Sequence, residues 1–159
     1  MVEPGESEFA QPVRAAAALR KSGEPDPQGK LRRDRGEFVA TDTAVAPLAV
    51  QPGGVARIHL TFRPNIERKA HWNNSVDPLS IWLKLPDGWS ADRAPIVIPS
   101  PASEVSQETR IAEFQIRAPQ TARPGDVTIP GYAAYYVCED VRGVCVYRRR
   151  DIQISIHIR

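Results

Sequence analysis

Residues 151–159 read DIQISIHIR, which sets Ile152, Ile154, Ile156 and Ile158 on one side of an extended chain. Side chains of a strand alternate between two faces, so β-branched residues at every second position make one apolar face and leave Gln153, Ser155 and His157 on the other. The period predicts a half-buried strand. The same period recurs upstream. VARIHLTFRP puts Ala56, Ile58, Leu60 and Phe62 against Val55, Arg57, His59 and Thr61, and LSIWLKLP puts Leu79, Ile81, Leu83 and Leu85 against Ser80, Trp82 and Lys84. EFVATDTAVAPLAV, APIVIPSP, TRIAEFQIRAP, VTIPGYAAYYVC and VCVYRRR read as further short strands, with Ile111, Phe114 and Ile116 as inward residues of the third. Fifteen prolines and ten glycines interrupt the chain too often for long helices. Short strands at roughly ten-residue spacing predict an all-β, immunoglobulin-like antiparallel β-sandwich.

The sandwich is expected over 37–159. Residues 1–36 differ in texture: QPVRAAAALRK is a short helical stretch, and SGEPDPQGKLRRDRG has almost no apolar content with which to offset ordering entropy. They read as a flexible, disordered or loosely helical N-terminal arm or linker. With 21 basic and 19 acidic side chains there is no field of one sign to attract nucleic acid. No apolar run is long enough to insert in a membrane, and MVEPGESEFA lacks the basic and apolar regions of an export signal. Hydrolase and nucleotide chemistry find no G-x-S-x-G elbow or phosphate-cradling glycine loop.

The two cysteines, Cys138 and Cys145, stand in YYVCEDVRGVCVYRRR with six residues between them. Gly143 suits a turn, and if Asp140 to Gly143 close a hairpin, Glu139 faces Val144 and Cys138 faces Cys145. Opposed strand residues lie about 4.5–5.5 Å apart at Cα, within reach of a disulfide. Four readings follow: a redox-active dithiol, a structural staple, half a metal site, or two unrelated thiols. His59, His71 and His157 show no ligand spacing that would join the thiols around a metal, so no metal or other cofactor is expected. A bridge over so small a loop would stabilise by about 2–3 kcal/mol, and stabilisation does not exclude reactivity.

The stretch GYAAYYVCEDVRGVCVYRRRDIQISI resembles the C-terminal hairpin of the N-terminal (alpha) domain of the thiol:disulfide interchange protein DsbD. PDGWS is similar to that family's P-x-G turn, and RPNIERKAHWNN occupies the place before its capping loop. The hairpin and HWNN also resemble the β-sandwich appended to thioredoxin-like proteins, some with NHL repeats. The resemblance spans about residues 40–159. It implies a periplasmic or otherwise extracytoplasmic thiol:disulfide oxidoreductase domain in which Cys138 and Cys145 form the redox pair, exchanging electrons with a thioredoxin-fold protein or domain. The alternative is an accessory sandwich whose disulfide only staples the hairpin; a third reading is a carbohydrate- or protein-binding module.

Around the cysteines, Glu139 and Asp140 follow the first and Arg148, Arg149 and Arg150 follow the second, so sequence leaves open which sulfur is the more reactive. Tyr136 and Tyr147 share the cysteine face by parity, as a shield for the sulfurs or as an ordinary cross-strand pair. His71, Trp72, Asn73 and Asn74 form either a cap, with His71 exchanging protons near the thiols, or a plain turn with Trp72 plugging the sandwich. The arginine run is expected to be a solvated edge.

Overall fold

The computed structural model describes residues 24–159. Eleven strands occupy them: β1 (Val39–Ala46), β2 (Ala49–Val50), β3 (Val55–Pro64), β4 (Ala70–Asn73), β5 (Leu79–Leu83), β6 (Ser90–Ala91), β7 (Ile96–Ile98), β8 (Val105–Ser106), β9 (Arg110–Arg117), β10 (Gly125–Glu139) and β11 (Val144–Ile158). One short 3-10 turn, Ile66–Arg68, separates β3 from β4. A first sheet runs β1-β3-β9-β6 and is antiparallel throughout. The second is built on β10, which pairs with β11 along one edge and with β5 and β4 in tandem along the other. β7 extends β5, β8 extends β4, and β2 adds a parallel rung at the end of β11. The molecule is an immunoglobulin-like β-sandwich.

Period two decides what lies between the sheets. Ala56, Ile58, Leu60 and Phe62 of β3 meet Ile152, Ile154, Ile156 and Ile158 of β11 and Ile129, Ala133, Tyr135 and Val137 of β10 in one core cluster. Burying a large aliphatic or aromatic side chain contributes about 1.5–3 kcal/mol, so these rows fix the register: a one-residue slip would turn every isoleucine of β11 to solvent.

Three readings change. On β9 the inward residues are Ala112, Phe114 and Ile116, while Ile111 is 50% exposed. Arg110 takes the inward place at the strand's start, its guanidinium 4.5 Å from the Trp72 ring and bonded to Glu108 and Asn74. The arginines of β11 are not a bare solvated edge. Arg148 lies over Phe38 and Arg149 over Tyr132, and the Arg150 guanidinium donates to the Asp34 carbonyl.

Those contacts explain the third change. The part of the expected arm that falls within residues 1–23 lies outside the described residues. Residues 24–36 pack on the second sheet: Asp34 N donates to Arg149 O, and Arg149 N donates to Arg32 O. Asp34 is buried and accepts from Gly36 N, Phe38 N, Val39 N and the Tyr135 hydroxyl. Asp26, also buried, accepts from Lys30 N, Leu31 N and Arg149. Two carboxylates with filled hydrogen-bond shells hold this strap where apolar content could not.

Candidate functional site

The hairpin β10–β11 carries the cysteines at its tip. Asp140 to Gly143 form the turn, with Gly143 at φ 69°, and Glu139 faces Val144. Cys138 and Cys145 are direct cross-strand partners joined by a disulfide, with Cα atoms 3.9 Å apart. Left-handed φ at Gly143 lets the chain reverse over four residues, and that count brings the thiols level.

The two sulfur-bearing residues differ in environment. β10 is an inner strand at this point, with β4 on its far side, and Cys138 is 6% exposed. Cys145 is exposed, and among the described residues no strand pairs with β11 on its outer side there. Directly beyond Cys138, in register on β4, is His71. Opposed residues of antiparallel neighbours point to one face, so His71, Cys138 and Cys145 stand abreast on the outer face of the sheet. The His71 side chain is 15% exposed, with Nδ1 3.4 Å from the Lys69 carbonyl and 3.8 Å from the Asp140 carboxylate.

On the same face, next along the hairpin, the rings of Tyr136 and Tyr147 stack in parallel at 4.0 Å. Burial pushes both phenols well above their usual range, so they stay neutral and act as packing. The Tyr136 hydroxyl is buried without a hydrogen-bond partner among the described residues. Farther along, Trp82 and Tyr132 floor a cleft of about 410 Å³ walled by Lys84, Arg149, Asp151 and Gln153. Its Arg149 and Asp151 are bonded to each other, and Arg149 also to Asp26.

Of the residues singled out in the sequence, the fold thus brings His71, Tyr136 and Tyr147 to the cysteine face. Trp72 it does not: the indole is fully buried on the opposite face, donating to Glu108 O and edge-on to Tyr135 at 5.8 Å. Asn73 and Asn74 build a turn. Asn73 accepts from Ser75 N, and Asn74 donates to Ser103 O and Ser106 Oγ. Glu139 was legible only as an acidic neighbour, yet its side chain is fully buried on the core face, accepting from Arg142 N with the Arg142 guanidinium 3.6 Å away. It holds the turn from beneath. Among the described residues no three His, Cys, Asp or Glu side chains gather as a metal site would require, and no helix is long and apolar enough to cross a membrane.

No family model and no curated protein matches the chain. Among solved structures it is similar to the sporulation control protein Spo0M of Bacillus subtilis, at 13% identity and a TM-score of 0.42 over 76% of this chain and 49% of that one. It is also similar to AggA, the major subunit of aggregative adherence fimbriae type I of Escherichia coli, at 12% identity and 0.40 over 81% and 98%. A chain of a type I cohesin–dockerin complex of Clostridium thermocellum aligns at 10% identity and 0.40 over 76% and 99%. The chain spans about half the length of the Spo0M chain it matches.

Proposed function

We propose that the sandwich is an extracytoplasmic thiol–disulfide exchange module, related to the DsbD alpha domain, that passes electrons to or from a thioredoxin-fold partner through Cys138 and Cys145. The observation that carries this is the unequal setting of the two sulfurs: an exposed Cys145 at an open strand edge, bonded to a Cys138 enclosed between strands. A purely structural bridge gains nothing from exposure at a hairpin tip, where the paired length of β10 and β11 already holds the strands together. An oxidising compartment such as the periplasm keeps such a bond formed.

The chemistry divides between the sulfurs. A partner thiolate attacks the Cys145 sulfur from the open side of β11, the Cys138–Cys145 bond breaks, and Cys138 departs as a thiolate and takes up a proton. The partner's second thiolate then attacks its own sulfur in the mixed disulfide and releases Cys145. The module gains two electrons and the partner dithiol becomes a disulfide; run backwards, Cys138 is the resolving thiol.

Reduced thioredoxin lacking its resolving cysteine, mixed with the oxidised chain and quenched in acid, tests this directly. The expected product is a mixed disulfide mapped by mass spectrometry to Cys145. A link on Cys138 would reverse the assignment of roles. A bridge that thioredoxin reduces only after the chain has been unfolded in denaturant would leave the staple of an accessory domain as the function.

A further inference from the structure

The row His71, Cys138, Cys145 crosses three strands, and the disulfide joins two of its members. Disulfide exchange proceeds with the attacking sulfur, the central sulfur and the leaving sulfur near one line. Attack from the open side of β11 therefore drives negative charge across the sheet, onto Cys138 and toward β4. What stands on β4 at that rung is an imidazole.

Its tautomer follows from its neighbours. Nδ1 faces the Lys69 carbonyl at 3.4 Å and the Asp140 carboxylate at 3.8 Å. Both are acceptors only, so in the neutral ring they place the hydrogen on Nδ1 and leave the lone pair on Nε2. Among the other charged groups on the surrounding elements, Glu139 pairs with Arg142 beneath the turn. Glu108 pairs with Arg110 on the inward side of β4 beside Trp72, and Arg68 of the 3-10 turn lies over Phe38. Glu67 of that turn donates its backbone N–H to Asn65. Asp140 is the carboxylate at ion-pair distance from His71, and it lies on the turn that joins the two cysteines.

We propose that His71 is the proton partner of Cys138. In the oxidising direction its Nε2 takes the proton of the Cys138 thiol, giving a thiolate–imidazolium pair that Asp140 steadies from the Nδ1 side, and the proton passes to solvent once the disulfide has formed. In the reducing direction Nε2 takes a proton from solvent and gives it to the Cys138 thiolate as that sulfur leaves, so each proton the sulfur gains or loses is matched by one exchanged with water. Such a pair supplies what the enclosed position of Cys138 withholds, since burial alone disfavours a thiolate and a cation beside the sulfur favours it. Exchange does not require the remainder of the outer face to take part. The inference rests on the exchange reading for its use, but the pairing itself does not need a redox partner to be measured.

The experiment is a titration of the full chain carrying Cys145→Ser, in which Cys138 is the single thiol and its thiolate is followed by ultraviolet absorbance. Adding His71→Gln is expected to cut the thiolate fraction near neutral pH about tenfold, and Asp140→Asn to cut it in the same direction by less. Ring-nitrogen NMR shifts of His71 should report hydrogen on Nδ1 and change when Cys138 is replaced by serine. Superimposable titrations of Cys138 with and without His71 in folded protein would overturn the pairing. Should His71→Gln fail to fold, Asp140→Asn in its exposed turn carries the test, and an unmoved titration there overturns it equally. A Cys138 that titrates as proposed in a chain thioredoxin cannot reduce would keep the pairing and remove the exchange function.

Discussion

Tyr136 and Tyr147 form the rung next to the disulfide, and their stacked rings are the ordinary means by which a two-stranded ribbon binds itself laterally. The Tyr136 hydroxyl contributes nothing to this and is buried without a partner among the described residues. Tyr136→Phe keeps the ring and removes an unpaired polar group. It is therefore expected to leave stability unchanged or raise it by up to about 1 kcal/mol, read as the midpoint of urea denaturation; a clear loss would mean that the hydroxyl is bonded in solution. At this scale the sequence was informative wherever parity governed. The rung Cys138–Cys145, its Tyr136–Tyr147 neighbour and the isoleucines of β11 all follow from counting by two. The reading of Ile111 as inward departed from parity, since apolar character alone marked it; alternation with Phe114 and Ile116 puts it outward, where it is found. The inward place of Arg110 depends on the Trp72 ring, Glu108 and Asn74, and such partners become visible only when distant segments meet.

The strap formed by residues 24–36 shows where composition misleads. Its apolar content is too small to predict order, yet buried carboxylates organise it: Asp34 gathers three backbone N–H groups and the Tyr135 hydroxyl. Asp34→Ala would strand those donors inside the protein and is expected to cost about 3–5 kcal/mol. Tyr135→Phe removes a single hydrogen bond to a charged group and is expected to cost about 1–2 kcal/mol. Denaturation midpoints of the two variants check the ordering, and equal losses would mean that the strap contributes little beyond that one bond. The candidate site depends on elements in a different way. His71 reaches the cysteines because β4 docks against the last residues of β10, and no spacing in the chain announces that pairing. The HWNN stretch mixes residues with three destinations: His71 outward beside Cys138, Trp72 into the core, and the two asparagines in a turn.

Across the whole molecule, β10 is the strand on which the second sheet is organised, and its partners differ greatly in how far along the chain they lie. Core contacts such as Ile58 with Phe114 across β3–β9, or Trp72 with Val137 across β4–β10, bring together distant stretches of chain. The cysteines are separated by only 7 positions. Closing a short turn takes microseconds, whereas pairings of large sequence separation slow sandwiches to milliseconds or seconds. The β10–β11 hairpin is thus expected to meet its own ends first. A pulse of oxidant early in refolding should capture the Cys138–Cys145 bond before the fluorescence of buried Trp72 becomes native. A bond that appears only after that signal would reverse the order. Under this sequence of events, the turn that aligns two sulfurs has finished its work while the rest of the chain is still searching, and the disulfide predates the architecture that later encloses one of its ends.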